Sequence, residues 1–306
     1  GLNKMAAPMD LGLPADEDKS LLVHKIEALA KLGYEVVAVN SVITETIPKW
    51  KKQKGQSKEF PVKPAASTLL EADQAHNILV RGRPIRQLSR ITVELSESSQ
   101  VLGLQTKEVQ EYDILAVNPT TEKMFHQACG SLEVDIISLN FSQRLPFFIK
   151  RAAVGMALER GVHFEISYCP MIRDSTSRKN IISNANHLVE VCKGKNIILT
   201  SDAQKPIELR GPLDVANLGH LMGMKEAEGK ACVTFNCRAV LKHAEARKTA
   251  KCVLSLEKLP PASPPAQGEQ KHKSTPKGKH KRKQARSPLV ESGSGDEQPP
   301  IKKDKT

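Results

Sequence analysis

Three kinds of residue in this chain could do chemistry. Two carboxylates stand where strands are predicted to end, Asp10 in Met9-Asp10-Leu11-Gly12 and Asp202 in Ser201-Asp202-Ala203-Gln204. Histidines and cysteines are scattered along the chain. Arginines and lysines recur on the segments that follow strands. Lys150 and Arg151 come after Leu-Pro-Phe-Phe, Arg173, Arg178 and Lys179 surround Asp174-Ser175-Thr176, and Arg210 precedes Gly211-Pro212. Arg238 and Lys242 are four apart on a predicted helix, hence on one face. Arg247 and Lys248 end that helix, where cations favour its dipole.

The carboxylates lack companions for metal chemistry. A phosphoesterase barrel would place an HxH after its first strand and a histidine near Asp202. Here Leu11 and Gly12 follow Asp10, and Gln204 stands at the second position. Two carboxylates without imidazoles are a poor site for a transition metal. No two histidines are spaced i, i+2, and no CxxC pair exists. Cys169 follows a predicted strand, but a nucleophilic thiol needs a basic partner that the sequence does not place. The cationic group is the stronger constellation, because guanidinium groups grip phosphates bidentately. The same residues read equally as solvated charges or as ion pairs with Asp174, Glu208 or Glu245, and Asp174 also reads as a helix cap.

Strand–helix repeats must position these groups. Tyr34–Asn40, Ile91–Leu95, Tyr112–Asn118, Val134–Asn140, Val162–Ser167 and Asn196–Ser201 are predicted strands, with a weaker first one around Ala6–Leu11. Several are continuously apolar, as parallel strands buried on both faces are. Asp18 is predicted to cap a helix that buries Leu22, Ile26 and Leu29 and stops at Gly33. Further helices are predicted over Thr121–Gly130, Phe148–Gly161 and Ser183–Cys192, from Pro212, and as one long helix over Glu226–Lys248. Seven such units suit an α/β barrel of about seven strands, although a doubly wound open sheet has the same periodicity. A long excursion, 41–88, interrupts the repeats, with a short helix expected at Ala66–Ala72.

Charge locates the boundaries. The net charge is +12, yet 12 of the 46 Lys and Arg and only 5 of the 34 Asp and Glu lie from Lys258 onward. The body, 5–257, is therefore only mildly basic, and any anion-binding face on it must come from clustering. The segment 258–306 is rich in Pro, Lys, Ser and Gly, cannot bury a core, and is expected to be a disordered basic tail. Its run Lys279, His280, Lys281, Arg282, Lys283 is a candidate nuclear-import signal. Aromatics make up 4% of the chain, which argues against the base-stacking platforms of RNA-recognition folds. The absence of any long apolar run excludes a spanning helix, and Met5 is expected as the native start.

Four runs carry a family resemblance: CPMIRDST from Cys169, CKGKNIILTS from Cys192, IELRGPLDVANLG from Ile207 and NCRAVLKHAEARKTA from Asn236. They resemble the thirty-kilodalton barrel subunit of eukaryotic and archaeal ribonuclease P, shared in eukaryotes with ribonuclease MRP. The resemblance implies a TIM-like barrel and a subunit that supports a catalytic RNA in removing the 5′ leader of precursor tRNA. It implies no catalytic residue and no cofactor bound by this chain, with magnesium used by the RNA. The implied partners are ribonuclease P RNA, MRP RNA, a small RNA-recognition-like protein subunit and other ribonuclease P proteins, with precursor tRNA contacted indirectly. The implied location is the nucleus and nucleolus, with no membrane association. On that reading the ten cations above bind RNA or partner proteins. Two alternatives stay open: a metal-dependent phosphoesterase barrel using Asp10 and Asp202, and a protein scaffold without RNA contact.

Overall fold

The computed structural model describes residues 7–44 and 65–249. The 258–306 tail, its Lys279–Lys283 run and Cys252 lie outside the described residues, as does most of the first half of the excursion. Seven parallel strands follow one another around a single sheet: β1 Met9–Pro14, β2 Val36–Ile43, β3 Arg86–Leu95, β4 Ile114–Pro119, β5 Ile136–Ser138, β6 His163–Ser167 and β7 Ile197–Thr200. The last meets the first. Asp202 N–H donates to the Gly12 carbonyl at 3.0 Å, and the Asp10 carboxylate accepts from Ser201 N–H at 3.2 Å. The sheet is a nearly closed barrel. Gly12 is required at this seam by close approach, because a Cβ there would lie 2.7 Å from the Thr200 side chain and 2.8 Å from Glu165 Oε1.

Helices cover the outside: α1 Lys19–Leu32, α2 Glu122–Gly130, α3 Arg151–Glu159, α4 Cys169–Arg173, α5 Ser175–Cys192, α6 Pro212–Leu221, α7 Glu226–Cys232 and α8 Phe235–Thr249. Local rules explain several of their ends. Asp18 accepts from Ser20 N–H at 2.9 Å and starts α1, while Gly33 at φ +94° stops it. Asp174 caps α5 through Ser177 N–H at 2.7 Å, eight residues ahead of the predicted start. Outward strand residues such as Val37, Val39, Ile91, Val93, Leu115 and Val117 pack in the core shared with these helices.

Inward residues grade from apolar to polar toward the strands' C-terminal ends. Met9, Leu11, Val36, Ala38, Leu88, Ile114, Ala116, Ile136 and Ile198 form a separate interior cluster. One pleat period further along, the positions become Asn40, Arg90, Asn118, Ser138 and Thr200. Arg90 and Glu165 pair across this interior in a two-bond fork, each contact 2.5 Å, and the two side chains are 1% and 3% exposed. Arg90 also donates to the Leu11 carbonyl at 2.7 Å, and Glu165 accepts from Thr200 Oγ1 at 2.8 Å. Burial pushes the Glu165 carboxyl up, but the Arg90 guanidinium and the Ser138 and Thr200 hydroxyls outweigh it and hold it below the ordinary range.

Several expectations are corrected. The predicted Glu226–Lys248 helix is two helices broken at Val233-Thr234, where the Val233 carbonyl accepts from Met9 N–H at 2.9 Å. The break redirects α8 across the N-terminal mouth of the barrel, where Cys237 and Val240 join the interior cluster. Phe235, placed on the buried face by helical spacing, is instead 64% exposed. The third strand begins at Arg86 rather than Ile91, because Arg86, Gln87, Ser89 and Arg90 interrupt the apolar pattern while the backbone is already paired with β2. The excursion is correspondingly shorter and ends in a small hairpin, Leu79–Val80 with Arg83–Pro84, while its short helix lies at Ala72–Asn77 after a single turn at Ala65–Thr68.

Removing one member of a buried ion pair strands the other's charge, at a cost of about 3–5 kcal/mol. Arg90→Met or Glu165→Leu alone should lower unfolding stability by about that amount, whereas the double variant should recover most of it. Urea denaturation of the four proteins checks this, and additive losses would contradict the paired arrangement.

Candidate functional site

The C-terminal mouth of the barrel is a polar basin of about 340 Å³. Asn40, Asn118 and Asn140 contribute amides from the ends of β2, β4 and β5, with Thr92, Ser138 and Ser167 between them. Asn40 Oδ1 accepts from Thr92 Oγ1 at 2.7 Å, and Asn140 Oδ1 accepts from Ser142 N–H at 3.1 Å. Glu165 forms part of the floor, and Asp202 and Arg173 stand at the rim. This is where strand–helix barrels place their functional groups.

Asp202 is the unusual residue. Its backbone is left-handed at φ +53°, a conformation asparagine and aspartate tolerate better than other non-glycine residues. Burial pushes its carboxyl up to about 6, against the opposing pull of Arg173. Arg173 is locked in place: its Nε and one terminal nitrogen each reach Glu208 at 2.9 Å, and that nitrogen also donates to the Asp202 carbonyl. The 202–211 loop is further held by Tyr34, whose hydroxyl donates to the Arg210 carbonyl at 3.1 Å, and by Tyr168, which accepts from Arg210 N–H at 3.1 Å. The rim is therefore a built surface rather than a free loop.

The ten cations singled out by sequence do not form one face. Lys150, Arg151, Arg173, Arg178, Lys179 and Arg210 lie at the C-terminal end, on the loops and helix ends that follow strands. Arg238, Lys242, Arg247 and Lys248 ride on α8 across the opposite end. Grouping Arg238 and Arg247 with the loop arginines is corrected accordingly. Arg247 is a structural residue, 4% exposed and 3.1 Å from Asp135, which also accepts from His243 Nδ1 at 2.8 Å. Lys248 pairs with Asp113 at 3.1 Å. At the upper end Arg178 Nε donates to the Met171 carbonyl and Arg210 to the Ile207 and Leu209 carbonyls. Lys150 pairs with Glu122 at 2.7 Å, both well exposed. Arg151 and Lys179 are exposed and have no ion-pair partner among the described residues.

The carboxylates of the phosphoesterase alternative do not converge. Asp202 lines the basin, whereas Asp10 is 2% exposed and its Oδ1 clasps the N–H groups of Gly12 and Ser201 at the barrel seam. Among the described residues no three His, Cys, Asp or Glu side chains gather as a metal-binding group. Cys169 is fully buried, and burial pushes its thiol far above the ordinary range, so it is no nucleophile at neutral pH. The same burial lowers His163 to about 4.

Residues 7–249 match the family model described as RNase P subunit p30. This chain belongs to that family. It is 45% identical over 258 residues to "Ribonuclease P protein subunit p30" of Mus musculus, covering 84% of this chain and 92% of the mouse protein. It is 34% identical over 229 residues to "Probable ribonuclease P protein subunit 3" of Schizosaccharomyces pombe, covering 74% of this chain and 88% of the yeast protein. A chain in the "cryo-EM structure of archaeal Ribonuclease P with mature tRNA" aligns with a TM-score of 0.57 at 13% identity, over 84% of this chain and all of that one. That likeness supports the barrel fold of the family.

Sequence reasoning missed the amide-lined basin. The signal was asparagine closing three predicted strands, in Val-Asn40, Val-Asn118 and Leu-Asn140, and spacing alone gave these residues no role beyond ending the strand.

Asp202 also makes stability depend on pH. Its folded pKa lies above its unfolded value, so the unfolded state loses its proton first and stability falls as pH rises from about 4 to 6. Asp202→Asn removes that penalty and keeps a side chain suited to the left-handed backbone. Thermal unfolding should show the variant about 1–3 kcal/mol more stable above pH 7, with the gap closing below pH 4. Equal stability at pH 7.5 would contradict the buried-charge account.

Proposed function

We propose that this chain is a protein subunit of ribonuclease P, and by the sequence resemblance of ribonuclease MRP, that supports catalysis by the RNA component in precursor-tRNA leader removal. The observation that carries the reading is the 45% identity spanning 92% of the mouse subunit. The barrel supplies a rigid body whose C-terminal rim carries exposed cations, which suits a structured RNA backbone. Arg151 and Lys179 are the proposed phosphate contacts, being cationic, exposed and unpaired among the described residues. A small RNA-recognition-like protein subunit and nuclear residence complete the proposal. Arg173, Arg178 and Arg210 favour the scaffold reading for their own part of the rim, because each is already bonded within the chain.

Affinity isolation of the tagged full chain from cells tests this. Leader-removing activity should come with it and should be abolished when the co-purified RNA is digested and the nuclease quenched before assay. Activity that survives complete RNA digestion would overturn the supporting role. Replacing both Arg151 and Lys179 by Gln should weaken the salt dependence of RNA binding by about two units of slope, and an unchanged slope would remove them from the RNA interface.

A further inference from the structure

The barrel-mouth basin has the chemistry of a receptor for one kind of ligand. One arginine, Arg173, lines it and is matched by Glu208, and the floor carboxylate Glu165 is matched by Arg90 beneath it. Asp202 is left over, with no side-chain hydrogen-bond donor among the described residues, so the basin is neutral to negative in net charge. A phosphate would meet that excess with no free cation to offset it, and an RNA backbone is therefore the wrong occupant. The remaining lining is a set of neutral edges. Asn118 has no side-chain partner among the described residues and offers both an N–H₂ donor and a carbonyl acceptor. Asn40 and Asn140 each use only the carbonyl oxygen in the bonds described, which leaves their amide donors free of those bonds. Val42, Phe141 and Pro170 supply apolar walls between these groups. A ligand complementary to this arrangement has apolar faces, polar edges and no negative charge. At 340 Å³ the space lies at the small end of ligand pockets, which run from about 300 to 1,000 Å³.

We infer that the basin binds a single nucleobase by its edge, with Asp202 accepting from two adjacent N–H donors and the Asn118 amide reading a neighbouring acceptor. Guanine presents those donors side by side, on its ring nitrogen and its exocyclic amine. The carboxylate is acceptor-only when ionised and has two oxygens to meet them. Single-stranded bases that splay out of an RNA are read in this way, on their hydrogen-bonding edges. The scarcity of aromatics across the chain is no obstacle, because the recognition proposed here is by edge and not by stacking. Two sources offer the same chemistry: an unpaired guanine of a bound RNA, or a free guanine nucleoside. The RNA source rests on the proposed ribonuclease P role, whereas the pocket itself does not.

Equilibrium binding to the full chain at pH 7.5 tests the inference, with guanosine, inosine, adenosine, cytidine and uridine as probes. Guanosine should bind saturably, and inosine, which lacks the exocyclic amine, should bind more weakly. Asp202→Asn should weaken guanosine by about 10- to 100-fold, as loss of hydrogen bonds to a charged group does. That variant is expected to fold at least as well as the parent, so a loss of binding is not a loss of structure. Asn118→Ala should weaken guanosine while leaving thermal unfolding unchanged. A short single-stranded RNA with one guanine that binds more tightly than guanosine, and a duplex hiding that guanine that does not, assigns the source to RNA; tighter guanosine than oligonucleotide assigns it to a nucleoside. No saturable binding of any probe, equal binding of all five, or guanosine binding unaffected by both substitutions would overturn the proposal. Co-purification of ribonuclease P RNA would be untouched by any of these results, so failure of the pocket and failure of the subunit role are separately visible.

Discussion

A guanidinium and a carboxylate buried inside the barrel, Arg90 and Glu165, set the conditions for everything above them. Below the pair, strand side chains interdigitate as an apolar plug. Above it the interior turns to amides and hydroxyls, because ions placed there need hydrogen-bonding neighbours that an apolar layer cannot supply. The pair also explains the seam. Arg90 holds the Leu11 carbonyl of β1, and Glu165 accepts from Thr200 of β7, so one ion pair ties together the strands that meet at closure. Gly12 must be small because Glu165 and Thr200 occupy the space its side chain would need.

The two ends of the barrel have different roles. The N-terminal mouth is filled by α8, and its polar contacts serve the fold: His243 and Arg247 converge on Asp135, and Lys248 reaches Asp113. The C-terminal mouth is open and framed by a rigid rim that Arg173, Glu208, Tyr34 and Tyr168 hold in shape. Asp10 serves the seam by clasping the N–H groups of Gly12 and Ser201, whereas Asp202 faces the open basin.

Much of this was legible in the sequence. The outward faces of the strands, the Asp18 and Gly33 stops of α1, and the alternating units all follow periodicities that local chemistry enforces. Polar residues at barrel interior positions were not legible, since Arg90 and Glu165 lie 75 residues apart and only closure of the sheet brings them together. For the same reason Arg90 made β3 look shorter than it is. The path of α8 was hidden because the break at Val233-Thr234 lies against the first strand, where Val233 accepts from Met9 N–H, and helical spacing alone cannot report a contact so far along the chain. Spacing along the chain could not say that the ten cations divide between opposite ends of the barrel.

The central claim is that this barrel supports ribonuclease P without performing the cleavage itself. The most direct measurement is incubation of the purified full chain, free of RNA, with precursor tRNA and magnesium, read by the 5′ end of the product. The account predicts that the leader stays attached under conditions where the assembled particle removes it. Release of the leader at the mature 5′ end by the chain alone would contradict it.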